Sequence, residues 1–358
     1  MGTRRNILLY PFSLVYGFIT SFRNFLYDSG ILRSYSFSMP VICVGNLSAG
    51  GSGKTPHTEY LASLLGRRFR IAILSRGYKR KSRGFKIAAA DSLVADVGDE
   101  PLQMCRKFPD ITVAVDRNRK HGIDSILISR PETDVIILDD GFQHRRIKPG
   151  LSIILSDFHR SFTDDHLLPY GNLRESIKNI KRADIILITK SPSDVSADLQ
   201  KRIYAEVIKE TRQKLFFTTV SYDDPEPLFG KINTEPELFT SSHLEDSGIV
   251  LVTGIVNPQP LKEYLSKYNS GIIHLRFRDH HQYASGDIEK IRSAWDSLKA
   301  KRRYVFTTEK DAARLREFAN IAEPLRSAFF YIPVRIDFLN NARDEFDNII
   351  TEYAGKNK

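Results

Sequence analysis

The chain has 358 residues, 41% of them hydrophobic and 27% charged, which describes a folded protein long enough for two ordinary domains and excludes a disordered one. Its net charge of +10 suits any polyanionic partner, whether nucleic acid, anionic membrane or phosphorylated substrate, and does not choose among them. Cys43 and Cys105 are the only cysteines, so a disulfide framework and a Cys-rich zinc site are both excluded and a reducing compartment fits.

The N-terminal segment carries Arg4 and Arg5 and then no charged residue from Asn6 to Phe22, a run rich in Leu, Phe, Tyr and Ile. No convincing small-residue cleavage site of a signal peptide precedes Arg23. A transmembrane helix needs about 20 apolar residues, and this run is shorter and holds Pro11, Ser13, Gly17, Thr20 and Ser21. An interfacial helix with basic flanks and aromatic anchors fits better, with an ordinary buried helix as the alternative. Residues 1–37 are therefore expected to form an N-terminal membrane-associated helical segment.

Pro40 to Val44 is a short apolar strand, followed by Gly45-Asn46-Leu47-Ser48-Ala49-Gly50-Gly51-Ser52-Gly53-Lys54-Thr55. Strand, glycine-rich turn and Gly-Lys-Thr opening a helix is the order a phosphate-binding loop needs. Glycines let backbone N–H groups turn inward around an anion, and the helix aims its unpaired N–H groups at the same place. Lys54 can reach the β- and γ-phosphates of ATP, and the Thr55 hydroxyl can ligate Mg²⁺. Ser48, Gly50, Gly51, Ser52, Gly53, Lys54 and Thr55 are the expected cradle. Ser48 departs from the strict pattern, which has Gly at that position.

Short apolar runs then alternate with polar, helix-like segments: Arg70–Ser75, Ile111–Val115, Val135–Leu138, Leu151–Leu155 and Ile185–Ile188. Apolar strands joined by helices predict a mostly parallel sheet with helices on both faces, with ligands at the carboxyl ends of the strands. The strand Val135–Leu138 ends in Asp139 and Asp140, which are metal candidates, Asp139 ahead of Asp140. Asp99 precedes Glu100-Pro101 at an expected helix start; it is a candidate to align or deprotonate an acceptor hydroxyl, or else a plain N-cap. Arg76 to Lys86 is basic throughout its charged positions, and Arg76 follows a strand end. Arg117 and Arg119 follow another.

A break at Tyr222-Asp223-Asp224-Pro225 separates residues 38–221, the nucleotide-binding domain, from residues 222–358, a smaller C-terminal α/β lobe. Its expected strands include Ile249–Gly254, Ile272–Phe277, Tyr304–Thr308 and Phe329–Ile336, with an amphipathic helix over Ile288–Leu298 whose Trp295 is core. The lobe has no second phosphate loop.

The combination of Gly50 to Pro56, Ser75-Arg76-Gly77-Tyr78, Gly98-Asp99-Glu100-Pro101, Asp139-Asp140-Gly141-Phe142-Gln143-His144, Leu168 to Glu175, Asp279-His280-His281 and Thr308-Glu309-Lys310-Asp311 resembles the tetraacyldisaccharide 4′-kinase family of lipid A biosynthesis. Tyr170 and Asn172 stand where that family usually has a small residue and Pro. The resemblance implies a membrane-associated P-loop kinase that uses ATP and Mg²⁺ to phosphorylate the 4′-hydroxyl of a lipid disaccharide 1-phosphate. It places such a protein at the cytoplasmic face of the inner membrane of a Gram-negative bacterium, with no obligate protein partner. It also implies His280 as the partner of Asp99 across the cleft between lobes, and Arg174 and Glu175 in the nucleotide site. Arg76, Tyr78, Arg117, Arg119, Gln143 and His144 are the substrate-side candidates; Arg117 and Arg119 are candidates for the 1-phosphate. A soluble P-loop kinase of a small phosphorylated metabolite is the competing reading. A nucleic-acid-stimulated ATPase finds no RNA-recognition, helix-turn-helix or zinc-module signal in support.

Overall fold

The computed structural model describes residues 6–230, 244–318 and 320–356. The Arg4-Arg5 flank of the N-terminal segment lies outside the described residues. Two compact units are distinguished: the smaller is Ser92–Gln103 with Ser221–Arg335, and the larger takes in the chain up to Asp91, then Met104–Val220 and the stretch from Ile336 on.

The larger unit opens with helix α1 (Tyr10–Asp28). Pro11 occupies its first turn, where a missing N–H breaks no intrahelical bond. The sheet that follows is built from β1 (Val41–Asn46), β2 (Ile71–Ser75), β3 (Lys86–Ile87), β4 (Thr112–Val115), β5 (Val135–Asp139), β6 (Leu151–Asp157), β7 (Ile185–Thr189), β8 (Lys214–Tyr222) and β14 (Val334–Phe338). Its order is β14-β8-β7-β6-β1-β5-β2-β4-β3. The pairs β1–β5, β1–β6, β2–β5, β2–β4, β6–β7 and β7–β8 are parallel, and β3 pairs antiparallel with β4. Every residue of β1, β2, β5, β6 and β7 is buried. Strands buried along their whole length have both faces covered, which is why they read as unbroken apolar runs rather than alternating ones. Crossover helices α2 (Lys54–Leu65) and α5 (Arg119–Ser129) pack on this sheet. β1 lies at its centre, so the loop leaving β1 emerges at the carboxyl edge between β5 and β6.

The smaller unit has its own sheet, in the order β11-β10-β12-β13-β9. The strands are β9 (Glu226–Pro227), β10 (Ser247–Thr253), β11 (Ile272–Arg276), β12 (Arg302–Thr308) and β13 (Phe329–Ile332). β10 pairs parallel with β11 and β12, and β12 with β13, while β9 runs antiparallel to β13. Helix α8 (Ser285–Asp296) buries Ile288, Ile291 and Trp295 in one cluster with Val250, Val252 and Val305. Trp295 is core, as its spacing predicts.

One expected strand divides. Phe329–Ile336 reads as a single apolar run, but Pro333 separates β13 from β14, and the two belong to different sheets. Proline cannot donate to a ladder, so the chain leaves one sheet there and enters the other. The stretch from Ile336 on, including α10 (Arg343–Gly355), accordingly clusters with the larger unit rather than with the rest of residues 222–358. Tyr353 anchors it by donating to the Val41 carbonyl at 3.2 Å, and Phe346 packs on Phe216 and Tyr60.

The contrast between buried and exposed isoleucines tests this core. Ile137→Ala, in β5 at 0% exposure, should lower the free energy of unfolding by about 2–5 kcal/mol. Ile128→Ala, at 82% exposure, should change it by less than about 0.5 kcal/mol in the same urea titration.

Candidate active site

The loop after β1 is shaped by two neighbours. Ser48 forms an antiparallel bridge with Leu173, the Ala49 N–H donates to the Asn172 carbonyl at 2.7 Å, and the Arg174 N–H donates to the Leu47 carbonyl at 2.7 Å. Ser48 is thus held extended, which accounts for a serine where the strict motif has glycine: that position needs no left-handed backbone. The positions that do need it are Gly50, at φ +111°, and Gly53, at φ +85°. Gly53 precedes α2 in the left-handed region and turns the helix start toward the loop. Ser52 Oγ is buried and has no hydrogen-bond partner among the described residues, a donor held ready inside the cradle. Tyr170 and Asn172 find local roles: the Tyr170 N–H donates to Ser13 Oγ at 2.9 Å, and Asn172 Nδ2 to Asp165 Oδ2 at 2.9 Å.

Lys54 Nζ donates to Asn46 Oδ1 at 3.1 Å and lies 3.6 Å from Asp140 Oδ1. Arg174 Nη1 reaches both Asp140 oxygens at 3.0 Å. Burial works against the Asp140 charge, but Lys54, Arg174 and Arg119 outweigh it and hold the carboxyl below the usual range. Asp139 is buried and accepts from Ser75 Oγ at 2.9 Å and Thr58 Oγ1 at 3.4 Å. Thr55, half-buried, follows Lys54 in the first turn of α2. The Thr55 hydroxyl and the Asp139 and Asp140 carboxylates are hard-oxygen donors of the kind Mg²⁺ prefers, and the orphan Ser52 hydroxyl suits a polyphosphate. The residues present fit Mg²⁺–ATP.

The other expected site residues divide. Glu175 is fully buried and takes contacts from Asn24 Nδ2 (3.1 Å), Gln143 Nε2 (3.2 Å), Asn179 Nδ2 (2.9 Å) and Arg182 Nη2 (2.6 Å). Its carboxylate is committed to holding α1 and the β1 loop's neighbours together. Gln143 also donates to the Asn46 carbonyl at 2.7 Å, so it braces the end of β1. Arg119 is 2% exposed and donates to the carbonyls of Asp116 (2.7 Å) and Asp139 (2.8 Å), a support under the Asp139 backbone. Arg119, with Arg117, His144, Arg145, Arg146 and Arg23, lines an open cavity of about 400 Å³ beside α1. Burial first, then the Arg119 and Arg76 charges, push His144 down to about 4, so it is neutral there. Arg76 and Tyr78 are exposed, whereas Arg80 of the same basic stretch is buried and donates to the Gly84 carbonyl at 2.6 Å.

A second cluster lies in the smaller unit. Asp99 opens α4 (Asp99–Lys107), and His280 follows β11 in a loop at φ +58°. His280 Nδ1 is 2.7 Å from Asp99 Oδ2, and Arg314 Nη2 is 3.0 Å from the same oxygen. The two partners lie within one compact unit, because Ser92–Gln103 clusters with Ser221–Arg335. Burial disfavours the Asp99 charge, yet the His280 hydrogen bond and the Arg314 and Lys310 charges outweigh it and hold the carboxyl below its ordinary value. Arg314 and Lys310 both come from α9 (Glu309–Leu315) and its C-cap turn, one helical turn apart on one face. Lys310 belongs to the Thr308-Glu309-Lys310-Asp311 motif, and its four-residue spacing from Arg314 is the signal the sequence holds for a shared helix face. Asp311, fully buried, accepts from the Gly254 N–H (2.8 Å), Thr308 Oγ1 (2.7 Å) and Tyr283 OH (3.1 Å), and the His280 N–H donates to the Gly254 carbonyl at 3.2 Å.

His57, in α2, is 4% exposed; its Nδ1 is 2.8 Å from the Gly53 carbonyl and its Nε2 3.0 Å from Thr218 Oγ1. Burial is the main cause that pushes it down to about 4. The unfolded imidazole titrates near 6.5, so between about pH 6.5 and 4 the unfolded chain binds more protons and stability falls as pH falls. His57→Gln should flatten that part of the curve of unfolding midpoint against pH; an unchanged slope would remove His57 as its source.

With this geometry in hand, comparison with known proteins is direct. The family model described as tetraacyldisaccharide-1-P 4′-kinase matches residues 5–354. The tetraacyldisaccharide 4′-kinase of Bacteroides thetaiotaomicron is 45% identical over 354 residues, covering 98% of this chain and 93% of that protein. That of Flavobacterium johnsoniae is 43% identical over 350 residues, covering 98% and 97%. The crystal structure of LpxK from Aquifex aeolicus in complex with ATP matches at TM-score 0.72 and 29% identity, covering 96% of this chain and 98% of that one. The chain belongs to the tetraacyldisaccharide-1-P 4′-kinase family.

Proposed function

We propose that this chain transfers the γ-phosphate of ATP to the 4′-hydroxyl of a tetraacyldisaccharide 1-phosphate, giving the 1,4′-bisphosphate, at the cytoplasmic face of a membrane. The observation that carries this reading is the cradle itself: left-handed Gly50 and Gly53, the unpartnered Ser52 hydroxyl, and Lys54 aligned by Asn46 and Asp140, in a chain matched almost end to end by that kinase family.

Phosphoryl transfer asks a protein mainly for positioning and charge stabilisation. Lys54 and Arg174 bring two cations to one carboxylate; Lys54 neutralises phosphate charge and Arg174 holds Asp140 in place. When bound, Mg²⁺ would be held by Thr55, Asp139 and Asp140 and would neutralise charge on the β- and γ-phosphates. Asp99 accepts the proton of the acceptor hydroxyl. Its carboxyl is held ionised, and a loose transition state needs only a weak, well-aimed base. The Arg-lined cavity beside α1 suits the substrate's 1-phosphate through Arg117, whereas buried Arg119, expected to share that role, is spent on the Asp116 and Asp139 carbonyls.

Membrane attachment is supported by the orientation of α1. Ser13, Gly17, Thr20 and Asn24, on one face, are its buried residues. Ser13 Oγ donates to the Leu167 carbonyl (2.8 Å) and Tyr16 OH to the Arg174 carbonyl (2.8 Å). Leu14, Val15, Phe18, Ile19, Phe22 and Phe25 are exposed by half or more. A helix that packs its small and polar residues inward and its large apolar ones outward fits a lipid surface better than water. This favours a lipid acceptor over a small soluble metabolite. Among the described residues no helix is long and apolar enough to cross a membrane, so the attachment proposed is peripheral.

Two experiments test the reading. In detergent micelles, wild-type protein should move labelled γ-phosphate from ATP onto the lipid disaccharide 1-phosphate in a Mg²⁺-dependent way. Lys54→Ala should lose on the order of a hundredfold or more in rate with an unchanged circular dichroism spectrum; ATP turnover without labelled lipid would overturn the acceptor. In sedimentation with anionic phospholipid vesicles, Phe18→Ser combined with Phe22→Ser should release most of the protein to the supernatant. Unaltered binding would remove α1 as the anchor.

A further inference from the structure

The dyad of Asp99 and His280 has a third member whose role the kinase reading leaves open. Lys310 Nζ lies 3.1 Å from His280 Nε2, 3.3 Å from Asp279 Oδ1 and 3.3 Å from Glu100 Oε1. An ammonium group has three protons and no lone pair. A group that only donates forces the nitrogen opposite to accept. His280 Nε2 therefore carries its lone pair toward Lys310, and the ring proton belongs on Nδ1, which faces Asp99 Oδ2 at 2.7 Å. The other carboxylate near Nε2, Asp279 Oδ2, is 3.7 Å away, too far for a hydrogen bond.

We propose that Lys310 is a positioning residue: by donating to His280 Nε2 it locks the imidazole as the neutral Nδ1–H tautomer and so keeps Asp99, not His280, as the base. This rests on the phosphoryl-transfer reading above. In the step itself the acceptor oxygen bonds to the γ-phosphorus as the bond from that phosphorus to the β,γ-bridging oxygen breaks. ADP leaves, and the hydroxyl proton passes to Asp99. His280 keeps its Nδ1 proton throughout, because a second proton on Nε2 would point at the Lys310 charge. The remaining charges around the ring have matching duties. Arg314 pairs with Asp99 at 3.0 Å and Asp311 at 3.3 Å, while Glu100 and Asp279 share the Lys310 charge. The backbone supports the same arrangement, since His280 sits at φ +58°, a conformation uncommon for a non-glycine residue.

The test reads the tautomer without catalysis. Full-length protein labelled with ¹⁵N-histidine contains nine histidines, and His280→Asn assigns the resonance in question. The wild-type His280 should show a protonated Nδ1 and an unprotonated Nε2. In Lys310→Met the donor against Nε2 is gone, and Nε2 should gain a proton. A doubly protonated ring against Asp99 makes that carboxylate a poorer base, so kcat should fall about tenfold. The KM for ATP should not change, and Lys310→Arg should restore the wild-type nitrogen shifts and rate. A wild-type His280 protonated on Nε2 overturns the proposal even if Lys310→Met fails to fold. Unchanged nitrogen shifts and kcat in Lys310→Met overturn it too, leaving Lys310 a plain ion-pair partner. If the kinase reading itself is wrong, the labelled lipid fails to appear in the wild type while the tautomer remains readable.

Discussion

A single carboxylate, Asp140, holds the nucleotide edge of the larger unit in register. Lys54 approaches one of its oxygens at 3.6 Å and Arg174 both at 3.0 Å. Two cations drawn to one strand end would repel each other without it, and they in turn favour its charged form against partial burial. Asp140 itself adopts φ +50°, a left-handed conformation that an aspartate tolerates better than most residues. The strain is maintained by the ion pairs, and the ion pairs by the position of β5 beside β1. Lys54 therefore arrives with its charge aimed and its stem ordered before any phosphate binds, which is what preorganised electrostatic stabilisation requires.

The same edge is tied to the N-terminal helix. Glu175, with no exposure, takes hydrogen bonds from α1 through Asn24, from the β5 exit loop through Gln143, and from Arg182. A buried carboxylate with that many donors is satisfied; removing it would strand Arg182, itself largely buried, without its counter-charge. The consequence is that the helix whose apolar face points outward is mechanically continuous with the loop that cradles phosphate. An exposed apolar helix face and the phosphate loop share one hydrogen-bonded knot, and the Arg-lined cavity opens beside the helix.

The smaller unit holds the Asp99–His280 pair with a different economy of parts. Asp311 collects the Gly254 N–H, Thr308, Tyr283 and Arg314, and Gly254 in turn receives the His280 N–H. The loop that bears His280 is thus held by a buried residue next in sequence to the lysine that contacts its ring. Thr308-Glu309-Lys310-Asp311 works as a block: Thr308 caps the helix, Glu309 accepts from the Val334 N–H, Lys310 faces the imidazole, and Asp311 anchors the loop.

What the sequence determined by itself was local. The apolar runs of β1, β2, β5, β6 and β7 named a covered parallel sheet, because strands buried on both faces leave no polar positions. The glycines around Lys54 named a phosphate cradle, because only glycine enters a left-handed turn without strain. The inward small residues and outward aromatics of α1 were also visible as composition, although which face packed was not. Tertiary structure alone decided everything that depends on pairing between distant segments. It relieved Ser48 of the glycine requirement by bridging it to Leu173, and it drew Glu175 inward as a knot rather than outward as a ligand. It also split Phe329–Ile336 at Pro333 between two sheets, and set Lys310 against His280. None of these contacts has a periodicity or a spacing to announce it, since hydrogen-bond partners 30 to 150 residues apart are chosen by the packing of whole elements.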